Sequence, residues 1–267
     1  ANAPDLFPPL KRLQKAGDFY VMRKIIFIIL VILILSLAGM VRCKVNRLGL
    51  TGSEAGDSKQ ARDEFIGEKI TYNVKFGSFN LGKAVFQHLE NEDLEGKQAS
   101  KMTFETDLLR FYDLETIYSD PVTFLPIRVT RKIKGWSINE DIVEVYDQKN
   151  FILTITKFVD RKKEEVQFDK IAQPIHNAVL LPFYVRRIAN LKIGWSFLAN
   201  FGNQQFKIIL SSIENIKIPA GVFQAFRFES VPKKFSIWIT TDKRRVPVKI
   251  QDSGILGYTL IMKEYTF

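Results

Sequence analysis

From Glu68 onward, apolar and polar residues alternate so persistently that the pattern constrains this chain more than any other feature. Ile70, Tyr72, Val74 and Phe76 take one side, and Thr71, Asn73 and Lys75 the other. Met102, Phe104 and Thr106 repeat the pattern against Thr103 and Glu105. Phe151, Leu153 and Ile155 alternate with Thr154 and Thr156, although Ile152 breaks the polar side. The later runs KFSIWITT, VPVKIQ and GYTLIMKEY continue it. A period of two puts successive side chains on opposite faces of a pleated strand, so these segments read as half-buried antiparallel strands. Turn residues separate them: Gly77-Ser78, Asn91 to Gly96, Asp120-Pro121, Gly135, Gln148 to Asn150, Pro219-Ala220-Gly221 and Thr241-Asp242-Lys243. About a dozen strands are expected, and so many must curl or close, because a large flat sheet leaves unpaired edges. They are not outer-membrane strands: the runs vary in length, and Arg131, Lys132, Ile133, Lys134 is too polar for a lipid-facing band.

One stretch departs from the strand rhythm. In Asn177 to Asn190 (NAVLLPFYVRRIAN), Val179, Phe183, Arg186 and Asn190 share one helical stripe, and Leu180, Tyr184, Arg187 and Ile188 a neighbouring one. This predicts an amphipathic helix of about three turns, with Asn177 as N-cap and Pro182 starting or kinking it. Such a helix inserted in a large curved sheet plugs one open end and becomes the wall of any cavity. The fold class expected is therefore mainly β: a single strongly curved antiparallel sheet or open β-barrel with one inserted amphipathic helix.

The address is set by a second feature. Arg23-Lys24 precede seventeen uncharged, mostly aliphatic residues, Ile25 to Val41. Cations followed by such a run describe a signal or anchor helix. Met22 reads as the natural start, which makes 1–21 an upstream extension. Ser36 and Ala38 have the small-residue spacing of a cleavage site, and cleavage would give a soluble secreted protein. As an uncleaved anchor the run spans about 25 Å, at the short end for a bilayer core, and cations flank it on both sides, so charge does not set its orientation. Both readings stay open. The lone cysteine, Cys43, follows Arg42 and makes a poor lipoprotein site; it also rules out an intramolecular disulfide.

Four segments result: the extension 1–21, a signal peptide or membrane anchor over 22–43, a flexible Gly/Ser/charge-rich tether over 44–63, and an all-β periplasmic domain over 64–267. Residues 44–267 hold 33 Lys+Arg and 27 Asp+Glu, a net charge of +6. Excess cation on an envelope protein suits anionic lipid headgroups or other anionic polymers, and also serves solubility. Nucleic acid is excluded by the address and by the scattering of the cations among strands.

Four stretches resemble a known family: GEKITYNVKFGSFNLGKAVF (Gly67 to Phe86), AVLLPFYVRRIANLKIGWSF (Ala178 to Phe197), IPAGVFQAFRF (Ile218 to Phe228) and SIWITTDKRRVPVKIQDSGILGYTL (Ser236 to Leu260). They are similar to the opening hairpin, the central helix with its Gly-marked strand, and the closing hairpins of the exported bacterial family catalogued as domain of unknown function 3108. The closing block is the most specific. The resemblance implies one all-β periplasmic domain with an inserted helix, similar in outline to carriers and chaperones of lipids and lipoproteins. It transfers no catalytic motif.

No residue pattern for catalysis or metal binding emerges. His88 and His176 are the only histidines, without HExxH or a close pair, and read as structural. GxSxG is absent. The segment Gly77 to Gly82 is a hairpin turn and lacks the helix and Lys-Ser/Thr of a phosphate loop. The carboxylate pairs Asp113/Glu115 and Glu140/Asp141 have the chemistry for acid–base work on glycans, but charge on the solvent face of a strand or turn explains them more simply. Phe183, Tyr184, Arg186 and Arg187 are candidates to hold an amphiphile, the cations meeting its headgroup, against the simpler reading of a solvated helix edge. Trp195 and Trp238 are candidates to line the apolar surface, against a place in the core. Lys243, Arg244 and Arg245 are candidates to meet an anionic partner, against a charged hairpin tip.

The function expected is a non-catalytic exported envelope protein, without cofactor or metal, that binds a hydrophobic or amphiphilic ligand (lipid or lipoprotein) in the hollow of its sheet. It is periplasmic, either cleaved and soluble or anchored in the inner membrane through the N-terminal segment. A structural module binding peptidoglycan or a protein through a strand edge or basic face is the alternative, and a glycan-active hydrolase the third reading.

Overall fold

The computed structural model describes residues 64–136, 138–159, 162–168, 174–202, 204–253 and 257–267. The extension, the leader, Cys43 and the tether lie outside them.

Fourteen strands form one sheet among the described residues. In chain order they are β1 (Lys69–Phe76), β2 (Phe79–Leu94), β3 (Lys97–Leu108), β4 (Phe111–Ser119), β5 (Pro126–Gly135), β6 (Ile138–Asp147), β7 (Ile152–Val159) and β8 (Lys162–Phe168), then β9 (Ser196–Phe201), β10 (Gln204–Ile218), β11 (Gly221–Val231), β12 (Phe235–Thr240), β13 (Pro247–Asp252) and β14 (Tyr258–Thr266). The spatial order is β8-β7-β6-β5-β4-β3-β2-β1-β14-β13-β12-β11-β10-β9, with every pairing antiparallel. The chain thus starts in the middle of the sheet and walks outward by hairpins to the β8 edge. It then crosses to the β9 edge and walks back until β14 pairs with β1.

The sheet is not closed, yet it curls until its two edges approach each other. A methyl placed on Gly202, between β9 and β10, would stand 3.7 Å from side-chain atoms of Leu153 in β7 and Phe168 in β8. The crossing segment links the edges as well. Gln148, after β6, donates to Ile175 O (2.9 Å) and accepts from Ile175 N (3.1 Å). Ile175 forms a parallel bridge to Asn200 of β9, and His176 N donates to Asn200 O at 2.7 Å.

The helix is shorter than the stripe pattern predicts. Only Leu181–Val185 (α1) is helical, with Pro182 in its first turn. Pro182 has no N–H to continue a helix begun upstream, so it starts this one rather than kinking it. Asn177 does accept from the backbone, at Val179 N (2.9 Å) and Leu180 N (3.1 Å), but it closes a separate turn instead of capping the helix. At the other end Arg245, after β12, donates to Arg186 O and Ile188 O, taking carbonyls that a longer helix would use. Nor is α1 amphipathic: Leu181, Pro182, Phe183 and Val185 are buried, and Tyr184 is half-buried.

α1 joins two apolar clusters. Leu180 and Phe183 enter one with Ile70, Tyr72, Phe86, Met102, Ile117 and Met262. Leu181 and Val185 enter the other with Ile208, Leu210, Phe228, Ile237 and Ile239. Phe183 stacks on Phe86, ring centroids 3.7 Å apart at 15°. In a chain without an internal disulfide these clusters are the main source of stability, at roughly 25 cal/mol per Å² of apolar surface removed from water.

Candidate functional site

α1 packs where β1 begins and β4 ends, and an ion pair locks it there. Arg186 donates to both oxygens of Glu68, at 3.1, 2.8 and 3.0 Å. The two side chains are 2 % and 0 % exposed. Phe65 covers the guanidinium from 3.6 Å. Arg187 donates to Pro121 O (3.4 and 3.3 Å) and lies over Phe124 at 4.9 Å. His88 packs between Phe65 and Phe124, and burial first, then Arg186 and Arg187, press its pKa down to about 4.

The nine candidate residues therefore do not form one site. Arg186 sits on neither a solvated edge nor a free headgroup position, because Glu68 occupies its guanidinium. Phe183 is core. Tyr184 and Trp195 converge with Phe197: Tyr184 is 5.5 Å from that ring and 5.1 Å from His176, and Trp195 is 5.3 Å from Phe197. Trp238 projects to the face opposite Ile237 and Ile239. There it is 4 % exposed, flanked in register by Arg227 and Lys249 (5.3 and 4.1 Å from its ring), and its indole N–H donates to Glu214. Of the basic turn, Lys243 is exposed, Arg244 binds Tyr265 Oη at 3.0 Å and covers Phe267 at 4.1 Å, and Arg245 is the strap on α1.

A different group of residues meets on the inward face of β4 to β7. The alternation that faces Ile117 and Phe111 inward on β4 does the same for Asp113 and Glu115, which corrects the reading of that pair as solvent-facing charge: they are 5 % and 9 % exposed. Opposite them on β5 stands Arg131, whose Nε donates to Asp113 Oδ1 at 2.8 Å and lies 3.5 Å from Glu115 Oε1. On β6, Glu144 accepts from Tyr146 Oη. Farther along β6, Glu140 pairs with Lys157 of β7 at 2.9 Å, whereas Asp141 is exposed. Four carboxylates thus face two cations across β4 to β7. Burial raises Glu115 to about 7, opposed by Arg131 and reinforced by Asp113 and Glu144. Burial also raises Glu144, and lifts Tyr258, near this group, to about 12. Glu140 Oε2 is buried without a hydrogen-bond partner among the described residues.

Apolar side chains adjoin this belt on the same face. Phe104 is opposite Glu115, Ile155 opposite Glu144, and Val166 opposite Ile155. Phe104 and Ile155 are half-buried, and Val166 is 41 % exposed. The inward face is therefore packed at the α1 end and less completely covered beside the belt, where Phe104 and Ile155 still touch the main cluster. Sequence reasoning reached Asp113 and Glu115 but not their direction; Arg131 and Glu144 offered no signal, because inward charge and outward charge alternate identically along a strand. No cluster of three or more His, Cys, Asp or Glu among the described residues is arranged to hold a metal ion. His176, whose Nδ1 accepts from Asn200 N at 3.1 Å, is driven down to about 4 by burial.

Residues 71–261 match a family described as "Protein of unknown function (DUF3108)". No curated protein matches the chain. Among solved structures, the chain is similar to a protein of Bacteroides fragilis NCTC 9343, inferred to be exported and described as having a YmcC-like fold. The identity is 10 % and the TM-score 0.29, over 76 % of this chain and 96 % of that one. It is also similar to a protein of Parabacteroides distasonis ATCC 8503 inferred to be a lipoprotein, with 11 % identity and a TM-score of 0.26, over 75 % of this chain and 95 % of that one.

Proposed function

The chain belongs to this family of unknown function, and from that premise we propose that it is an exported, non-catalytic envelope protein that holds an amphiphile in the hollow of its sheet. The observation that carries the reading is the belt of Asp113, Glu115, Arg131, Glu144 and Glu140 beside the half-buried Phe104 and Ile155 and the exposed Val166. Burying ionisable groups costs several kcal/mol each unless they are paired, and a core that only had to be stable gains more from apolar residues. Such groups, with displaced pKa values, are what a functional site requires of its side chains. Acceptors outnumber cations in the belt, and Glu140 Oε2 is left over. The head of the ligand is therefore one that offers N–H or O–H groups, while its apolar part lies along Ile155 and Val166. Export is supported by the Arg23-Lys24 pair and the apolar run behind it.

Asp113 and Glu115 share a single guanidinium, which suits gripping rather than the separated acid and base of a glycosidase. The alternative of strand addition at the β8 edge is weakened by Lys163, Glu164 and Glu165, whose charges guard such edges. Solvent extraction and mass spectrometry of the purified protein test the proposal. Copurified amphiphile is expected, and Val166→Arg, at an already exposed position, should remove it while leaving the fold intact. An extract free of amphiphile, or one unchanged in the variant, would refute it.

A further inference from the structure

At the end of the sheet opposite α1, three successive hairpin tips carry large apolar side chains into solvent. Phe79 on the β1–β2 tip is 72 % exposed, Leu109 on the β3–β4 tip 75 %, and Trp136 on the β5–β6 tip 43 %. The register sets these tips side by side. Leu109 N donates to Leu81 O, Phe111 is opposite Gly135, and Arg110 lies over the Trp136 ring at 4.3 Å. Gly82 permits the close approach: a Cβ there would collide with the backbone of Asp107 and Leu108. Exposed apolar residues scattered singly need no explanation, but three at adjacent tips form a patch.

The charge around the patch is one-sided. Within two residues of the three tips stand the cations Lys75, Arg110 and Lys134 against a single carboxylate, Asp107. Lys83 lies 3.8 Å from Asp107 with both side chains more than half exposed, so that pair is weak. Apolar tips ringed by cations match the chemistry of an anionic bilayer, where the tips enter the acyl boundary and the cations stay among headgroup phosphates. A protein partner of ordinary composition would leave these cations without counter-charge.

We propose that the β1–β2, β3–β4 and β5–β6 tips dock the domain on the surface of an anionic lipid bilayer, with Phe79, Leu109 and Trp136 inserted. The inference stands on the tips alone and does not require that the hollow holds a ligand.

The test uses the full chain reconstituted with vesicles whose acyl chains are brominated, because bromine quenches only indoles that reach the acyl region. The Trp136 contribution is the difference between wild type and Trp136→Phe, so attachment through any other segment cancels. With vesicles containing phosphatidylglycerol, Trp136 emission should be quenched; with pure phosphatidylcholine it should not. Lys75→Ala with Lys134→Ala, both away from the core, should weaken the docking equilibrium roughly fivefold per charge removed. The Phe79→Ser, Leu109→Ser pair should abolish the quenching. Unquenched Trp136 on anionic vesicles would overturn the proposal, as would equal quenching on neutral ones or indifference to these substitutions.

Discussion

Glu68→Gln is the sharpest test of how α1 is held. The substitution keeps the shape of the side chain, so no cavity opens, but it removes the charge facing Arg186. The carboxylate is wholly buried and accepts three hydrogen bonds from Nη1 and Nη2 of the guanidinium, whose Nε has no hydrogen-bond partner among the described residues. Breaking a buried pair from one side strands the other charge and typically costs about 3–5 kcal/mol. Against a total stability of roughly 5–15 kcal/mol, that is a large share. With a urea m-value of about 2–3 kcal/mol/M for a domain of this size, the midpoint should fall by roughly 1–2 M. The assay is urea unfolding of the full chain followed by tryptophan fluorescence. Adding Arg186→Met should restore most of the loss, since Phe65 and Phe183 offer an apolar surround and no charge would remain unpaired. A midpoint that moves by less than about 0.3 M, or a double variant worse than the single, would refute the argument that a dry ion pair pins α1.

Three further outcomes follow from the same contacts. Phe183→Ala deletes the ring stacked on Phe86 and should cost about 3–5 kcal/mol in the same assay; a loss under 1 kcal/mol would show that the α1 end is not tightly packed. His88 has its pKa lowered to about 4 from an ordinary 6.5, so its contribution to stability is present above pH 6.5 and is lost as pH falls toward 4. The loss is about 3 kcal/mol, and the stability-versus-pH profile of His88→Phe should be shallower in that window. Glu115 acts in the opposite sense: its raised pKa makes the ionised form unfavourable, so stability declines as pH climbs from about 4.5 through about 7. Glu115→Gln should match wild type at pH 4 and exceed it at pH 8, and a variant equally destabilised at both would contradict the assignment.

The sheet was legible because period-two alternation is a direct imprint of the pleat. The turn signals at Gly77-Ser78 and Thr241-Asp242-Lys243 fall between strands, and Gly135 ends β5. About a dozen strands were expected and fourteen form; β2 (Phe79–Leu94) and β10 (Gln204–Ile218) outlast their apolar runs and continue into polar residues. The pairing of β1 with β14 left no trace in local sequence. The helix was overextended because Val179, Arg186 and Asn190 fit a helical stripe by spacing alone, while the Arg245 strap that ends α1 comes from a distant turn. The candidate cations were mistaken for free groups for a related reason: Glu68 is 118 residues from Arg186, and only folding joins them.

The junction of β1 with β14 gives the domain an unusual order of assembly. Lys69 and Thr266 are partners across almost the full length of the folded chain, and their strands lie at the centre of the sheet rather than at its rim. Each arm, β1 to β8 and β9 to β14, can grow by local hairpins, but the join between them is a contact of very high sequence separation. Such contacts form late and slowly. A chain delivered from its N-terminus would therefore hold the outer edge of β1, with Ile70, Tyr72 and Val74 uncovered, until its last strand arrives. Export through a narrow channel would expose that edge for the whole passage, so aggregation before folding is complete would concentrate on one eight-residue strand.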